Sequence, residues 1–384
     1  MADPGAGSHP LRWSLALLRA PGVGARTFRR LSEHFGDVRR VFEATRGELG
    51  DLGLGVEQID YLRAPDWAAV EGDIAWLSQP NRRLLRREDA GYPGPLKDIQ
   101  DIPPLLFVQG DVGLLSGPQI AIVGSRNPSP GGQRAAGEFA RQLASLGIAV
   151  TSGLALGIDA AAHRGALAAP GSTVAVMGTG LDRVYPASHR DLAYQIAESG
   201  ALISEFPLGT PATRSNFPRR NRLISGLSLG VLVVEAAGKS GSLITARHAS
   251  EQGREVFAVP GSIYNPLSRG CHALIRQGAT LVETVEDILR ELAPQLQAHL
   301  TDRDPPQVPA LNARGPSLDS GDLDEDYTRL LNSMGFDPVG VDTLVERCGL
   351  TAQAVSSMLL ILELGGDVRA QPGGTYVRLP RERM

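Results

Sequence analysis

The residues whose types could do chemistry fall into four short runs. AIVGSRNPSPGG carries Gly124, Ser125 and Arg126 between an apolar run and an amphipathic segment that begins at Pro130. That is the outline of an anion-binding loop at a helix start, where backbone N–H groups and the helix dipole favour negative charge. It is neither G-x-G-x-x-G nor a loop ending in Lys-Ser/Thr, so it fits neither the dinucleotide fingerprint nor a P-loop. FPLGTPATRSNFPRRNRLISGLS gathers Arg214, Phe217, Arg219, Arg220, Asn221 and Arg222, with no carboxylate between Glu205 and Glu235. AGKSGSLITARHAS opens a helical pattern with Lys239, Ser240, Gly241, Ser242 and Thr245 and stays acid-free until Glu251. TSGLALGIDAAAH sets Ser152 and Gly153 ahead of Asp159, which is placed to cap the next helix. Cations, hydroxyls and open backbone are the groups that hold phosphate.

The chemistry that is missing narrows the reading. There is no nucleophile with a partnered base, no H-E-x-x-H and no pair of carboxylates at the groove edge. The histidines are scattered, with His163 and His248 among apolar residues where packing explains them, and Cys271 and Cys348 are far apart in no metal-ligand spacing. Glu235 ends a buried strand. We therefore expect no catalytic residue, no metal and no cofactor: an anion groove without reactive groups implies binding.

Such residues need a scaffold that brings distant loops together. Over residues 120–292 short β-rich runs (IAIVGS, IAVTSG, TVAVMG, ALISEF, VLVVEA, EVFAVPG, TLVE) alternate with helical stretches. Near-continuous apolar strands alternating with helices mean a parallel sheet covered on both faces. The expected fold class is α/β, a Rossmann-like, doubly wound, mostly parallel sheet, whose loops at the carboxyl ends of the strands form one edge. LLFVQGD is expected to add an edge strand.

Two flanking modules are expected. Residues 11–88 read as helices, and LLRAPGVGARTFRRLSEHFG has the form of a helix-hairpin-helix, SAM-like unit. There Gly22 and Gly24 let the backbone approach a phosphate, and Arg26 and Arg29 sit on the helix that follows. ELGDLGLGVEQIDYL is a weaker copy spoiled by Asp51, Glu57 and Asp60. Residues 296–322, rich in Pro, Gly, Ser and acids, read as a linker. Beyond it three short helices and a hairpin turning at residues 372–374 resemble a winged helix. Its third helix, residues 351–364, has no Lys or Arg, which favours protein contact over groove reading. The expected domains are therefore 1–88, 89–295, 296–322 as linker and 323–384.

A formal net charge of -4 excludes a uniformly basic coat but leaves room for a local basic groove. Two cysteines give no disulfide framework, and the first residues lack a basic start and a long apolar run. A cytoplasmic protein with no membrane segment is the expectation.

The succession LLRREDAGYPGPLKDIQDIPPLLFVQGD, IAIVGSR, TSGLALGIDAAAH, YPASHRDL, LISEFP, FPRRNRLISGLS, KSGSLITARHASEQGREVFAVPG and ALIRQGA resembles the DNA-processing protein A family (DprA, also called Smf) across the whole central region. The resemblance implies a single-stranded DNA-binding protein of natural transformation. It implies protection of incoming strands, loading of the RecA recombinase, and a homodimer formed near ALIRQGATLV. By motif, Gly124, Ser125 and Arg126 match the strand-binding loop, and Arg220, Asn221, Arg222 and Lys239 match positions lining the same pocket. A secondary contact with duplex DNA or a second strand at the hairpin of Gly22, Gly24, Arg26 and Arg29 is a further partner left open. A competing resemblance is to nucleoside-monophosphate phosphoribohydrolases, which carry P-G-G-x-G-T-x-x-E with a catalytic Glu. The corresponding AGKSGSLITA has no Glu there. A third reading is a nucleotide-binding sensor on the same scaffold.

Overall fold

The computed structural model describes residues 9–169, 171–301, 325–334, 338–364, 367–371 and 374–379. They form two compact units divided after residue 304.

The first unit begins with helices α1 Arg12–Arg19, α2 Ala25–Phe35, α3 Val38–Glu43, α4 Arg46–Asp51, α5 Val56–Arg63 and α6 Trp67–Leu77. Their inward faces bury Leu15, Leu17, Leu31 and Leu49 completely. Gly22, at φ 67°, turns the chain between α1 and α2 in a conformation that β-carbons resist. The buried Asp73 of α6 receives Arg19 at 2.6 Å and the amide of Leu208 at 3.3 Å, which ties the helices to the sheet region that follows.

That region contains, in chain order, β1 Arg82–Arg86, β2 Leu105–Gly110, β3 Gln119–Gly124, α7 Pro130–Ser145, β4 Ala149–Ser152, α8 Ile158–Leu167, β5 Thr173–Val176, α9 Arg190–Ser199 and β6 Ala201–Ser204. It continues with α10 Asn216–Leu227, β7 Gly230–Val234, α11 Ser242–Glu251, β8 Glu255–Ala258, α12 Arg269–Arg276, β9 Thr280–Leu281 and α13 Val285–Thr301. The sheet order is β1-β2-β6-β5-β4-β3-β7-β8-β9. Every pairing from β6 to β9 is parallel, while β1 and β2 are antiparallel additions. The parallel strands are apolar on both faces because helices cover both, as Ile120, Ile122, Val231 and Val233, all fully buried, illustrate. The chain starts the parallel part of the sheet at β3, winds outward through β4, β5 and β6, then crosses back to β7. The winding reverses between β3 and β7, which is where such sheets open a crevice.

Two expectations change here. Residues Arg82–Arg86, read as part of a helical stretch, form the edge strand β1. LLFVQGD supplies β2, which lies inside that edge and not at it. RRLLR is five residues long with no alternation, too short to separate strand from helix by period, and pairing with β2 decides it.

Helix α7 starts where the sequence placed it. Ser129 caps it by accepting the Gly132 amide at 3.0 Å, and Pro130 occupies the first turn. It packs closely on α8: a Cβ added at Gly165 would run into the backbone of Gly137. Gly165→Val is expected to cost about 1–3 kcal/mol through overpacking, read as a lower urea midpoint.

The second unit contains α14 Glu325–Met334, β10 Val339–Gly340, α15 Val341–Cys348, α16 Ala352–Leu364, β11 Val368–Gln371 and β12 Thr375–Arg378. A three-stranded antiparallel sheet, β10-β12-β11, closes on a core of Leu330, Leu344 and Leu359. This is the winged helix expected from sequence. Of the expected linker, residues 296–301 continue α13, and the remainder lies outside the described residues, as do Pro372 and Gly373 of the hairpin turn. No single described helix is long and apolar enough to cross a membrane.

Candidate nucleic-acid interface

A cavity of about 770 Å³ opens outside the carboxyl ends of β3 and β7. Its floor is set by Gly124, which ends β3. Any Cβ there would strike the carbonyl of Val234, so only glycine lets the strands close at this point. Beyond it the Ser125 amide donates to the Glu235 carbonyl at 2.7 Å, and the Ser125 carbonyl accepts from Ile158 at 3.1 Å. The Glu235 side chain, read from sequence as a strand end, clamps this loop: it accepts the Ser129 amide at 2.8 Å and the Ser129 hydroxyl at 2.5 Å.

From this fixed loop Arg126 reaches outward, exposed, with its guanidinium 5.9 Å from the Phe217 ring centroid. Phe217 in turn lies 5.4 Å from Tyr185. Arg214 joins the wall, also exposed. Neither Arg126 nor Arg214 has a hydrogen-bond or ion-pair partner among the described residues. Across the cavity, the Ser240 and Ser242 hydroxyls lie 2.7 Å apart at the N-terminal end of α11, beside Gly241 and the buried Thr245. Asn221 stands between the two walls, its amide carbonyl accepting from Arg220 at 3.2 Å. Unpaired cations, hydroxyls and a helix N-terminus converge on one concave surface with aromatic faces beside them.

The expected carboxylate-free groove needs correction. Arg219 and Arg222 both donate to one oxygen of Glu205, at 3.0 and 2.6 Å, and Glu205 is 2% exposed. Neither arginine lines the cavity, and the Arg222 side chain is buried. The acid lies outside the cationic run in sequence, at the end of β6, and folding places it beneath α10. Arg220 is likewise 4% exposed. It donates to the Gly153 carbonyl at 2.8 Å and to that of Val176, and its guanidinium fills the space a Cβ at Gly153 would need.

Asp159 completes this floor. It accepts from the Gly153 and Ala155 amides at 3.1 and 3.3 Å, so it caps the preceding turn and not its own helix. Burial pushes the Asp159 carboxyl up, with Arg220 and the amides opposing, and burial pulls Arg220 down to about 10. Both are buried at the cavity floor, each charge favouring the other's ionised form. Ser152 is fully buried with its hydroxyl on the Ile122 carbonyl at 2.6 Å, and Lys239 is exposed beside the cavity without lining it. The structure thus gathers Gly124, Ser125, Arg126, Phe217, Arg220, Asn221, Ser240, Gly241 and Thr245 at the cavity. Ser152, Gly153, Arg219 and Arg222 support it from below or behind.

Tyr185 and Asn127 are cavity residues that the sequence does not single out. YPASHRDL stands out there only as a motif, and the aromatic ring at its start is the available signal. The hairpin residues are elsewhere: Arg26 pairs with Asp101 at 2.5 Å and Arg29 lies 3.9 Å from Glu33. Gly22 and Gly24 flank that turn. Among the described residues, no group of three or more His, Cys, Asp and Glu could hold a metal ion.

His163 is a packing residue, as its apolar neighbours suggested. The Thr173 hydroxyl donates to the Val150 carbonyl at 2.6 Å, so it accepts from His163 Nδ1 at 2.7 Å. Burial lowers the imidazole to about 3. In the unfolded chain it titrates near 6.5, so its contribution to stability is present above that pH and is lost as pH falls toward 3. His163→Asn is expected to flatten the urea midpoint's decline with acid in that window.

The chain matches the family model described as DNA recombination-mediator protein A over residues 83–293, and the DprA winged helix domain over residues 314–374. It is 46% identical to protein Smf of Escherichia coli over 334 residues, covering 87% of each chain. It is also 46% identical over 203 residues to DNA processing protein DprA of Streptococcus pneumoniae, covering 53% of this chain and 72% of that one. Among solved structures, DprA from Streptococcus pneumoniae superposes with TM-score 0.65 at 36% identity, over 73% of this chain and 97% of that one. DprA from Helicobacter pylori, solved for its single-stranded DNA binding mode, gives TM-score 0.51 at 30% identity, over 56% and 96%. Matches of this extent, over the sheet region and over the winged helix that follows it in the chain, make the chain a member of the DprA/Smf family of DNA recombination-mediator proteins.

Proposed function

We propose that this protein binds single-stranded DNA in the cavity between β3 and β7, protects it, and loads the RecA recombinase on it during transformation and recombination. The observation that carries the reading is the open Arg126, Phe217 and Tyr185 face opposite the Ser240 and Ser242 hydroxyls. A polymer with repeated charges and unstacked bases needs cations and rings side by side. The homologue from Helicobacter pylori, described for its single-stranded DNA binding mode, supports it. The protein acts as a homodimer through α12 and β9, where Leu281 is 45% exposed. Binding is to the backbone with little sequence preference.

Fluorescence anisotropy with a labelled oligothymidylate tests the reading. Binding should be competed by unlabelled single strands and hardly at all by nucleoside monophosphates. Tight monophosphate binding with release of free base would instead favour a phosphoribohydrolase, although the first turn of α11 offers no acid for it. Sedimentation tests the dimer, and recombinase filament assembly on coated strands tests loading.

A further inference from the structure

Several large apolar side chains left in solvent lie on segments that follow the carboxyl ends of the strands. Tyr264 is 87% exposed and Ile263 73%, both in the loop after β8, while Tyr185 and Tyr194 follow β5. The Tyr264 loop is not loose. Asn265 reaches Glu235 at 3.4 Å, the Leu267 carbonyl accepts from Ala236 at 2.6 Å, and His272 Nε2 lies 2.9 Å from the Gly261 carbonyl. Glu235 is the same carboxylate that clamps the Arg126 loop, so the fold fixes Tyr264 outward relative to the cavity.

On the other side Arg190 opens α9, its guanidinium 5.6 Å from the Tyr194 ring centroid and 3.2 Å from its hydroxyl. Both are exposed. Arg190 with Tyr194 and Arg126 with Phe217 beside Tyr185 are two cation–ring groups, and the exposed Lys239 and Tyr264 follow β7 and β8. From β5 to β8 is four strand spacings, about 19 Å.

We propose that a single strand crosses this edge perpendicular to the β-strands and stacks bases on Tyr194 at one end and Tyr264 at the other. The proposal rests on the cavity being the strand site. Exposed rings on segments that flank that cavity, with cations beside Tyr194 and Phe217, suit nucleic acid because every base has a face to stack.

The test uses the full chain and oligothymidylates of increasing length. Tyr194→Ala and Tyr264→Ala should each weaken binding of long strands by about five- to tenfold, shorten the occluded length, and leave the shortest binding strands unaffected. Tyr194→Phe and Tyr264→Phe should bind as the parent does. Arg126→Ala should lose affinity at every length. If the double Tyr→Ala variant keeps the parent's length dependence while Arg126→Ala loses affinity, the track is wrong and the cavity reading stands. If Arg126→Ala also loses nothing, both fall. A changed sedimentation of Tyr264→Ala with unchanged DNA affinity would assign that face to a second copy of this chain and overturn the track.

Discussion

Arg126→Ala is expected to weaken binding of oligothymidylate by about tenfold or more, the range for removing a charge-assisted hydrogen bond. The slope of log affinity against log salt should shrink by about 0.7 for each phosphate that Arg126 neutralises. The physical case is that Arg126 is exposed and has no hydrogen-bond or ion-pair partner among the described residues, so its charge is free for a ligand. Its loop is held by backbone and by Glu235, not by its own side chain, so the unfolding midpoint should not move. Arg222→Ala, which motif matching would place in the same class, should behave differently. Arg222 is engaged by the buried Glu205, and its removal should lower stability before it touches DNA directly.

Arg220→Met is the second large effect. It leaves the Gly153 and Val176 carbonyls without their donor, which costs about 1–3 kcal/mol for a buried acceptor left unsatisfied, and removes a positive charge that favours the ionised Asp159 carboxyl. Adding Asp159→Asn should recover part of the loss, because the uncompensated charge disappears with it. Urea unfolding of the two single variants and the double variant measures the coupling. Strict additivity of the two changes would show that Asp159 and Arg220 do not form a unit.

The alternation of apolar strands and helices is enough to read the parallel sheet, because strands buried on both faces leave few other options. The start of α7 is legible for the same reason: Ser129 and Pro130 are local signals. The roles of the arginines are not local. Arg219, Arg220, Asn221 and Arg222 are neighbours in sequence, and a helix turns them to different sides, so Arg219 and Arg222 meet Glu205 and Arg220 meets Gly153. Glu205, just after β6, only bounds the acid-free run in sequence, and the Gly153 carbonyl that holds Arg220 comes from 67 residues earlier, so neither partner is visible until the chain folds. Strand β1 escapes a sequence reading because its register is set by its pairing with β2, a separate segment of chain.

The most direct measurement is a crystal structure of the protein with a short oligothymidylate. The account predicts backbone phosphates at the Ser125 and Arg126 loop and at the Ser240 and Ser242 hydroxyls, with a base against Phe217 or Tyr185. A strand bound on the winged helix or on the amino-terminal hairpin, with the cavity between β3 and β7 empty, would contradict it.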